Sequence, residues 1–347
     1  MICVAWVGMG SYAQCALTQF IKDSKEKVTL IAITSDVPKI CKTELAGAKV
    51  VWVETDDARP IEEVVGEKPR VLVEGGWFLP ILRRYVKEVR QGGGHVIGML
   101  DNPMMSGWRL LAWTVYFRLK YRRWYEGFIA AGESTRRLLR FAGFPDARIA
   151  VGNYPCDLSI FTNGGPLAQR EKKVVYVGRF IEVKNIERFL DAYITFSRKH
   201  PEWTLDLYGQ GPLQNAINAK IAASGLKTIT MHPFATPQEL SVVYKQVRVL
   251  ALPSYSDHWG VVVQEAAASG CALLVSSGVR AGDAFCTEKN AVVVDPQSGE
   301  QMAFALEQFA GWAENDWNEA QEESVRLAQA LTPKTFSAGL CRLVDMV

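Results

Sequence analysis

Short runs rich in Val, Ile and Leu alternate with longer amphipathic segments along the whole of this chain. A repeating strand-then-helix rhythm is satisfied most simply by parallel sheets with helical crossovers. The expected strands lie near residues 2–7, 28–34, 49–53, 71–74, 95–100 and 127–131, and again near 173–177, 204–208, 227–231, 247–252, 272–275 and 291–294. Between the two sets, "PCDLSIFTNGGPLAQREKK" (155–173) mixes Pro, Gly, Asn and charge, as a linker does. A chain of 347 residues is long enough for two domains with real cores. The expected division is an N-terminal domain over 1–160, a linker over 161–172 and a second domain over 173–330. A helix over 331–347 would then follow, with a possible return to the first domain.

Composition narrows the class. With 48% hydrophobic and 22% charged residues the chain reads as soluble and globular. Its seven cysteines (3, 15, 41, 156, 271, 286 and 341) are scattered without a Cys-x-x-Cys pair, which favours a reducing cytoplasm over disulfides or a zinc site. No leader-like segment opens the chain, and no apolar run approaches the roughly 20 residues needed to cross a bilayer. A net charge of +2 argues against a dedicated nucleic-acid binder. The charge is uneven, however. Residues 1–165 hold 22 Lys/Arg against 17 Asp/Glu, and residues 166–347 hold 17 against 20.

The first strand runs into "WVGMGSYAQ" (6–14), a Gly-x-Gly-x-x-Ala turn. Gly8 and Gly10 allow a tight turn and close approach to a phosphate, with the amides of a helix near 11–21 pointing at an anion. Asp36, after the second strand, stands where a dinucleotide fold places its ribose-binding acid. The alternative is a turn that merely joins strand to helix.

Four features of the second half each sit at or just after a strand end, where ligands of doubly wound sheets bind. "VGRFIEVKN" (177–185) sets Arg179 and Lys184 in a glycine-started loop before a helix, a suitable diphosphate cradle. "LYGQGP" (207–212) supplies a second glycine turn. "MHPFATPQEL" (231–240) starts a helix at Thr236-Pro237 with Glu239 in the first turn. "LPSYSDHWGVVVQEAAASGCALLVSS" (252–277) separates Asp257 from Glu265 by seven residues. Asp257 would then face a ligand at the N-terminus of a helix starting near Val261, and Glu265, one turn inside, would reach a second part of the same ligand.

Over about 172–295 these motifs resemble the donor domain of family 4 retaining glycosyltransferases. "GR…KN", "YGQGP", "LPSYSDHWG" and the acidic-x7-Glu pair all stand where that family has its landmarks. "PCDLSIF" and "FIAAGESTRRLL" extend a weaker resemblance upstream. The resemblance implies an α/β GT-B fold, two doubly wound Rossmann-like domains facing each other across a cleft. It implies Arg179 and Lys184 on the donor diphosphate, Glu265 on the ribose, and Asp257 with Trp259, Gly260 and Val261 on the transferred sugar. Gly209, Gly211, Pro233 and Phe234 fall in the nucleobase region. The implied donor is a UDP- or GDP-sugar, with no cofactor and no metal. The implied acceptor is a glycan or a lipid-linked one, in bacterial surface polysaccharide assembly.

Two departures stand out. The first acid is commonly Glu in that family and is Asp257 here. Many members also place a His at the end of a first-domain strand, where "HVIGMLDNP" (95–103) has Asp101 and Asn102 instead. His95 begins that strand, so Asp101 is the expected group near the reacting centre, with Asn102 on the acceptor side, and the expected catalytic residues are Asp257 and Asp101. Gly8, Gly10 and Ser11 become a candidate acceptor-side wall, and Asp36 loses its ribose role to Glu265.

"EGGWFLP" (74–80) reads either as an acceptor wall carrying Glu74 and Trp77 or as a turn with a packed Trp. "WRLLAWTVYFRLKYRRWY" (108–125) has five basic residues, no acidic ones and interleaved aromatics. It reads either as a peripheral membrane contact at the inner face of the cytoplasmic membrane or as a crossover helix packed on the sheet. The rival functions are a GT-B phosphorylase or nucleotide-sugar epimerase, an NAD-dependent oxidoreductase and a catalytically silent binding partner.

Overall fold

A computed structural model describes residues 1–34, 43–105 and 107–347. They form two compact units: Met1–Asp157 with Leu331–Val347, and Leu158–Ala330.

The first unit contains an eight-stranded sheet of β1 (Ile2–Val7), β2 (Val28–Ile33), β3 (Glu44–Leu45), β4 (Ala48–Val53), β5 (Val71–Gly75), β6 (His95–Leu100), β7 (Gly127–Ala130) and β8 (Ile149–Val151). Its order is β3-β4-β2-β1-β5-β6-β7-β8. Neighbours run parallel except β3, which pairs antiparallel with β4. Strands covered on both faces must be apolar throughout, and β2, "VTLIAI", is buried at every position. Alternation divides the core in two. Cys3, Ala5, Ile31 and Leu72 serve one face, and Ile2, Val4, Trp6, Leu30 and Val73 serve the other. The short edge strands β3 and β8 were not expected from the sequence. β3 turns into β4 through Ala46 and Gly47, both at positive φ (49° and 84°), the backbone of a tight hairpin.

The helix Pro333–Val344 completes this unit. Phe336, Leu340, Leu343 and Val344 are buried in the same cluster as Trp6 and Phe20, and Ser337 donates a 2.6 Å hydrogen bond to Asp23.

The second unit holds six parallel strands: β9 (Glu171–Val177), β10 (Thr204–Tyr208), β11 (Ile229–His232), β12 (Val247–Leu252), β13 (Ala272–Ser276) and β14 (Ala291–Val294). The order is β11-β10-β9-β12-β13-β14. Because β9 is followed on one side by β10 and on the other by β12, the strand order reverses between them. A reversal of this kind is where doubly wound sheets place their ligands, beyond the carboxyl ends of the strands.

The segment expected as a linker, 161–172, is built into this unit. Phe161, Leu167 and Arg170 are buried. The Arg170 guanidinium donates to the carbonyls of Gly165, Tyr244 and Ser269 at 3.1, 2.9 and 2.9 Å. Gln321 accepts from the Leu167 amide at 3.0 Å and donates to Asn163 at 2.8 Å. The segment does join the two strand sets as a linker, and its buried side chains satisfy the backbone groups of an irregular stretch.

Thr236 caps the helix Pro237–Gln246 in a capping box with Glu239. Thr236→Ala is expected to cost about 1 kcal/mol in urea unfolding, with ligand binding unchanged.

Candidate active site

The loops following β9 and β10 lie backbone against backbone. Phe180 donates its amide to Gln210 at 2.9 Å, and Gly178 donates to Tyr208 at 3.0 Å. A Cβ on Gly209 would stand 2.0 Å from the Gly178 oxygen, and one on Gly211 would stand 2.5 Å from the Phe180 oxygen. Both glycines also hold positive φ, 154° and 158°. The "YGQGP" turn is therefore glycine-rich because the Arg179 loop passes directly over it.

A 3-10 turn, Glu182–Lys184, then leads through Asn185 at φ 56° into the helix Ile186–Ser197. The buried Asn185 amide donates to the carbonyls of Pro253 (3.0 Å) and Pro296 (2.7 Å), and Tyr255 donates its amide to Val183 at 2.9 Å. These bonds tie the loop after β9 to the loop after β12. Asn185 was quoted within "GR…KN" but given no role, and the Lys-Asn pair before a helix was the available signal.

The tie brings the expected residues together. Lys184 forms an ion pair with Asp257, each side chain 16% exposed. Asp257 accepts a long, 3.4 Å bond from the Trp259 amide, and its own amide donates to Gly278 at 2.9 Å. Sequence reasoning placed Lys184 on phosphate and Asp257 on sugar, and did not foresee that each neutralises the other. Arg179 is exposed, and its guanidinium meets no carboxylate among the described residues. Gly260 precedes the helix Val261–Ala268 at φ 92°. Its missing Cβ leaves room for Val279 and Leu252, which would stand 2.9 and 3.1 Å away. Trp259 is buried edge-on to Phe285 at 5.9 Å.

Glu265, one turn inside that helix, is the anomaly of the unit. It is 7% exposed, and its Oε2 is buried without a hydrogen-bond partner. Burial alone pushes its carboxyl up to about 8. A folded protein rarely leaves a buried carboxylate oxygen unmet, and hydroxyl groups of a ligand are what such an oxygen accepts. The Ser254 hydroxyl is also fully buried and unpartnered. Pro233 and Phe234 stand exposed after β11, Phe234 at 63%. There His232 stacks on Tyr208 with ring centres 4.4 Å apart, a platform the sequence reading missed.

In the first unit, Gly8 adopts φ 61° and donates its amide to Ile33 at 3.0 Å. Gly10 caps the helix Ser11–Asp23 with extended backbone. Asp101, just past β6, accepts from the Tyr154 hydroxyl at 3.0 Å. Tyr12, whose ring meets Tyr154 edge-on at 5.4 Å, has its hydroxyl pushed up by burial and then by Asp101. Asp101 is thus grouped with the glycine turn. Asn102 is half-buried beside it. His95 sits at the other end of β6, 3.4 Å from Glu126, which Arg90 and Arg148 also hold.

Glu74 is not on an open wall. It is fully buried, accepts from Tyr125 at 2.6 Å and from the Gly76 amide at 2.8 Å, and is raised by burial to about 7. Trp77 packs edge-on to Tyr121 at 5.5 Å, which agrees with the packed-turn alternative. Asp36 lies outside the described residues. Among the described residues no group of three His, Cys, Asp or Glu side chains could hold a metal ion.

The family match falls on the second unit. Residues 161–321 match the family model of glycosyl transferases group 1. The D-inositol 3-phosphate glycosyltransferase of Rhodococcus jostii is 28% identical over 191 residues, covering 50% of this chain and 42% of that protein. The uncharacterized glycosyltransferase YqgM of Bacillus subtilis is 23% identical over 145 residues, 42% of this chain and 40% of YqgM. The chain spans less than half the length of these relatives. Among solved structures, a glycosyltransferase from Rickettsia africae superposes with a TM-score of 0.75 at 11% identity, covering 97% of this chain and 96% of that one. Anabaena HepE in complex with UDP gives 0.74 at 12% identity over the full length of both. The fold is therefore GT-B, with two Rossmann-like halves, and the family match and relatives support a place for this chain in the glycosyltransferase superfamily.

Proposed function

We propose that this chain is a retaining glycosyltransferase. It moves a sugar from a UDP- or GDP-sugar to a glycan or lipid-linked acceptor in bacterial surface polysaccharide assembly. The unpartnered Oε2 of buried Glu265 carries this reading, because it is an acceptor in waiting for the ribose hydroxyls of a nucleotide. Arg179 and Lys184, on the loop after β9, meet the diphosphate. Nucleotide phosphate draws Lys184 from Asp257, and the released carboxylate accepts from hydroxyls of the transferred sugar. The amides of 259–261 and the N-terminus of the helix Val261–Ala268 add positive potential where the departing diphosphate gains charge. This arrangement neutralises the leaving group with side chains and backbone, so no metal or cofactor is needed. Asp101 is assigned to the neighbourhood of the reacting centre, and Asn102, with Gly8, Gly10 and Ser11, to the acceptor side.

The experiment is a thermal-shift series with UDP, GDP and NAD, followed by mass spectrometry of donor turnover. A ligand at about 100 times its Kd adds about 2.7 kcal/mol, a shift of several degrees. Stabilisation by UDP or GDP, with sugar transferred in its original anomeric configuration, is the expected result. Stabilisation by NAD alone would replace this reading with the oxidoreductase one, and absence of turnover with every donor would leave only a silent binding partner.

A further inference from the structure

The helix Gly107–Lys120 is apolar on two opposite faces. Thr114 and Phe117 are buried against the first unit, and Trp113 stacks on Phe117 at 4.6 Å. On the other face Trp108, Leu111, Val115 and Leu119 are 76, 62, 47 and 77% exposed. With Ala112 they recur at i, i+3, i+4, i+7 and i+11, the spacing of one continuous stripe. An uncovered stripe of this kind is unusual on a protein surface and marks a contact.

The surroundings of the stripe define what it contacts. Arg109 and Lys120 flank it on one side and Arg118 on the other, and the helix has no acidic residue. Beside its C-terminal end a cavity of about 570 Å³ has a mostly apolar wall that includes Leu119, Tyr121 and Trp124, with Arg83, Lys87, Lys120 and Arg123 also lining it. The Arg83 guanidinium donates to the Phe78 carbonyl at 2.6 Å, while its Nε is buried without a hydrogen-bond partner. Among the described residues, none of Lys87, Arg109, Arg118, Lys120 and Arg123 pairs with a carboxylate. Nearby Glu126 is engaged by Arg90 and Arg148 at 2.6 and 3.0 Å, and Glu74 is sealed in the core. A protein partner of ordinary composition would need an apolar ridge inside an acidic frame. An anionic bilayer offers that pattern everywhere, with phosphates above and acyl chains beneath.

We infer that this face seats the first unit on an anionic lipid surface. Trp108, Leu111, Val115 and Leu119 enter the acyl boundary, and headgroup phosphates meet Lys87, Arg109, Arg118, Lys120 and Arg123 around them. The inference does not rest on the proposed transfer reaction, and binding is measured without it.

The test is flotation of the full chain with vesicles of phosphatidylcholine alone or with about one third phosphatidylglycerol. Binding is expected with the anionic vesicles and not with the neutral ones, and it falls about tenfold or more on raising salt. The double variant Leu111→Glu, Leu119→Glu is expected to lose flotation with an unchanged circular dichroism spectrum and melting temperature. Lys87→Glu with Arg123→Glu should weaken binding to anionic vesicles while keeping the exposed stripe. Failure of the wild-type chain to float, or equal flotation of the stripe variant, overturns the inference. So does a solution dimer that Leu119→Glu dissociates, because a second copy would then cover the stripe. Saturable binding of inorganic phosphate without any vesicle binding overturns it too, since the basic residues would then take a free anion.

Discussion

Glu265→Gln is expected to impair transfer and, at alkaline pH, to stabilise the fold. The first effect follows from replacing a charged acceptor by a neutral amide. Hydrogen bonds to a charged group contribute about 1.5–3 kcal/mol, so kcat/KM for the donor should fall on the order of 10- to 100-fold. The second follows from the sign of the shift. The folded carboxyl titrates at about 8 against an ordinary value of 4.5, so between those limits the folded state holds a proton that the unfolded state has released. Stability from this group is fully present below pH 4.5 and is lost as pH rises through 8. The range is on the order of 3–5 kcal/mol. The amide variant has no such dependence, so its urea-unfolding free energy should fall less steeply than that of the parent between pH 5 and 8. Parallel slopes would remove the buried-acid account. Unchanged donor affinity would remove Glu265 from the site. Nucleotide binding near neutral pH should also release a proton, because ribose hydroxyls favour the ionised form. Calorimetry in buffers of different ionisation enthalpy reads that proton directly.

Gly209→Ala is expected to be the more damaging change to the fold. Its Cβ would fall 2.0 Å from the Gly178 oxygen, so the turn and the Arg179 loop cannot both keep their places. A backbone clash of that depth, added to an unfavourable φ, should cost more than about 3 kcal/mol. Nucleotide binding should weaken with it, since the displaced loop carries Arg179 and leads to Lys184. Gly225→Ala is the control. Gly225 also has positive φ, 68°, but a Cβ there meets nothing within 4 Å, so its cost should be only about 1 kcal/mol. Equal losses at the two positions, measured by urea unfolding, would show that dihedral strain rather than loop-on-loop contact explains Gly209.

The second unit was legible because its constraints are local. A glycine that must admit a neighbouring backbone, a helix that starts beside a cation and two acids with seven residues between them all leave marks at fixed spacing. Pairings between loops leave none. The Lys184–Asp257 contact depends on Asn185 reaching two carbonyls of other loops, and Asn185 looks ordinary in sequence. The same limit explains 161–172, where composition indicated a linker and could not show that Arg170 and Gln321 pack it into the second unit. β3 and β8 are too short to show alternation. Glu74 ends a strand beside two glycines, as a site residue would, and only the Tyr125 hydroxyl reveals that it is a core residue. The helix Gly107–Lys120 packs one face on the unit, as the crossover reading expects, and leaves the other exposed.

The last helix, Pro333–Val344, has a consequence for synthesis. It fills the core beside Trp6 and Phe20, although those residues leave the ribosome more than three hundred positions earlier. The second unit is one uninterrupted stretch and can close as soon as residue 330 has emerged. The first must wait with an apolar flank uncovered until its final segment arrives. The order of folding would then invert the order of translation, and nascent chains arrested before residue 331 should expose their first unit, not their second, to protease and to chaperones.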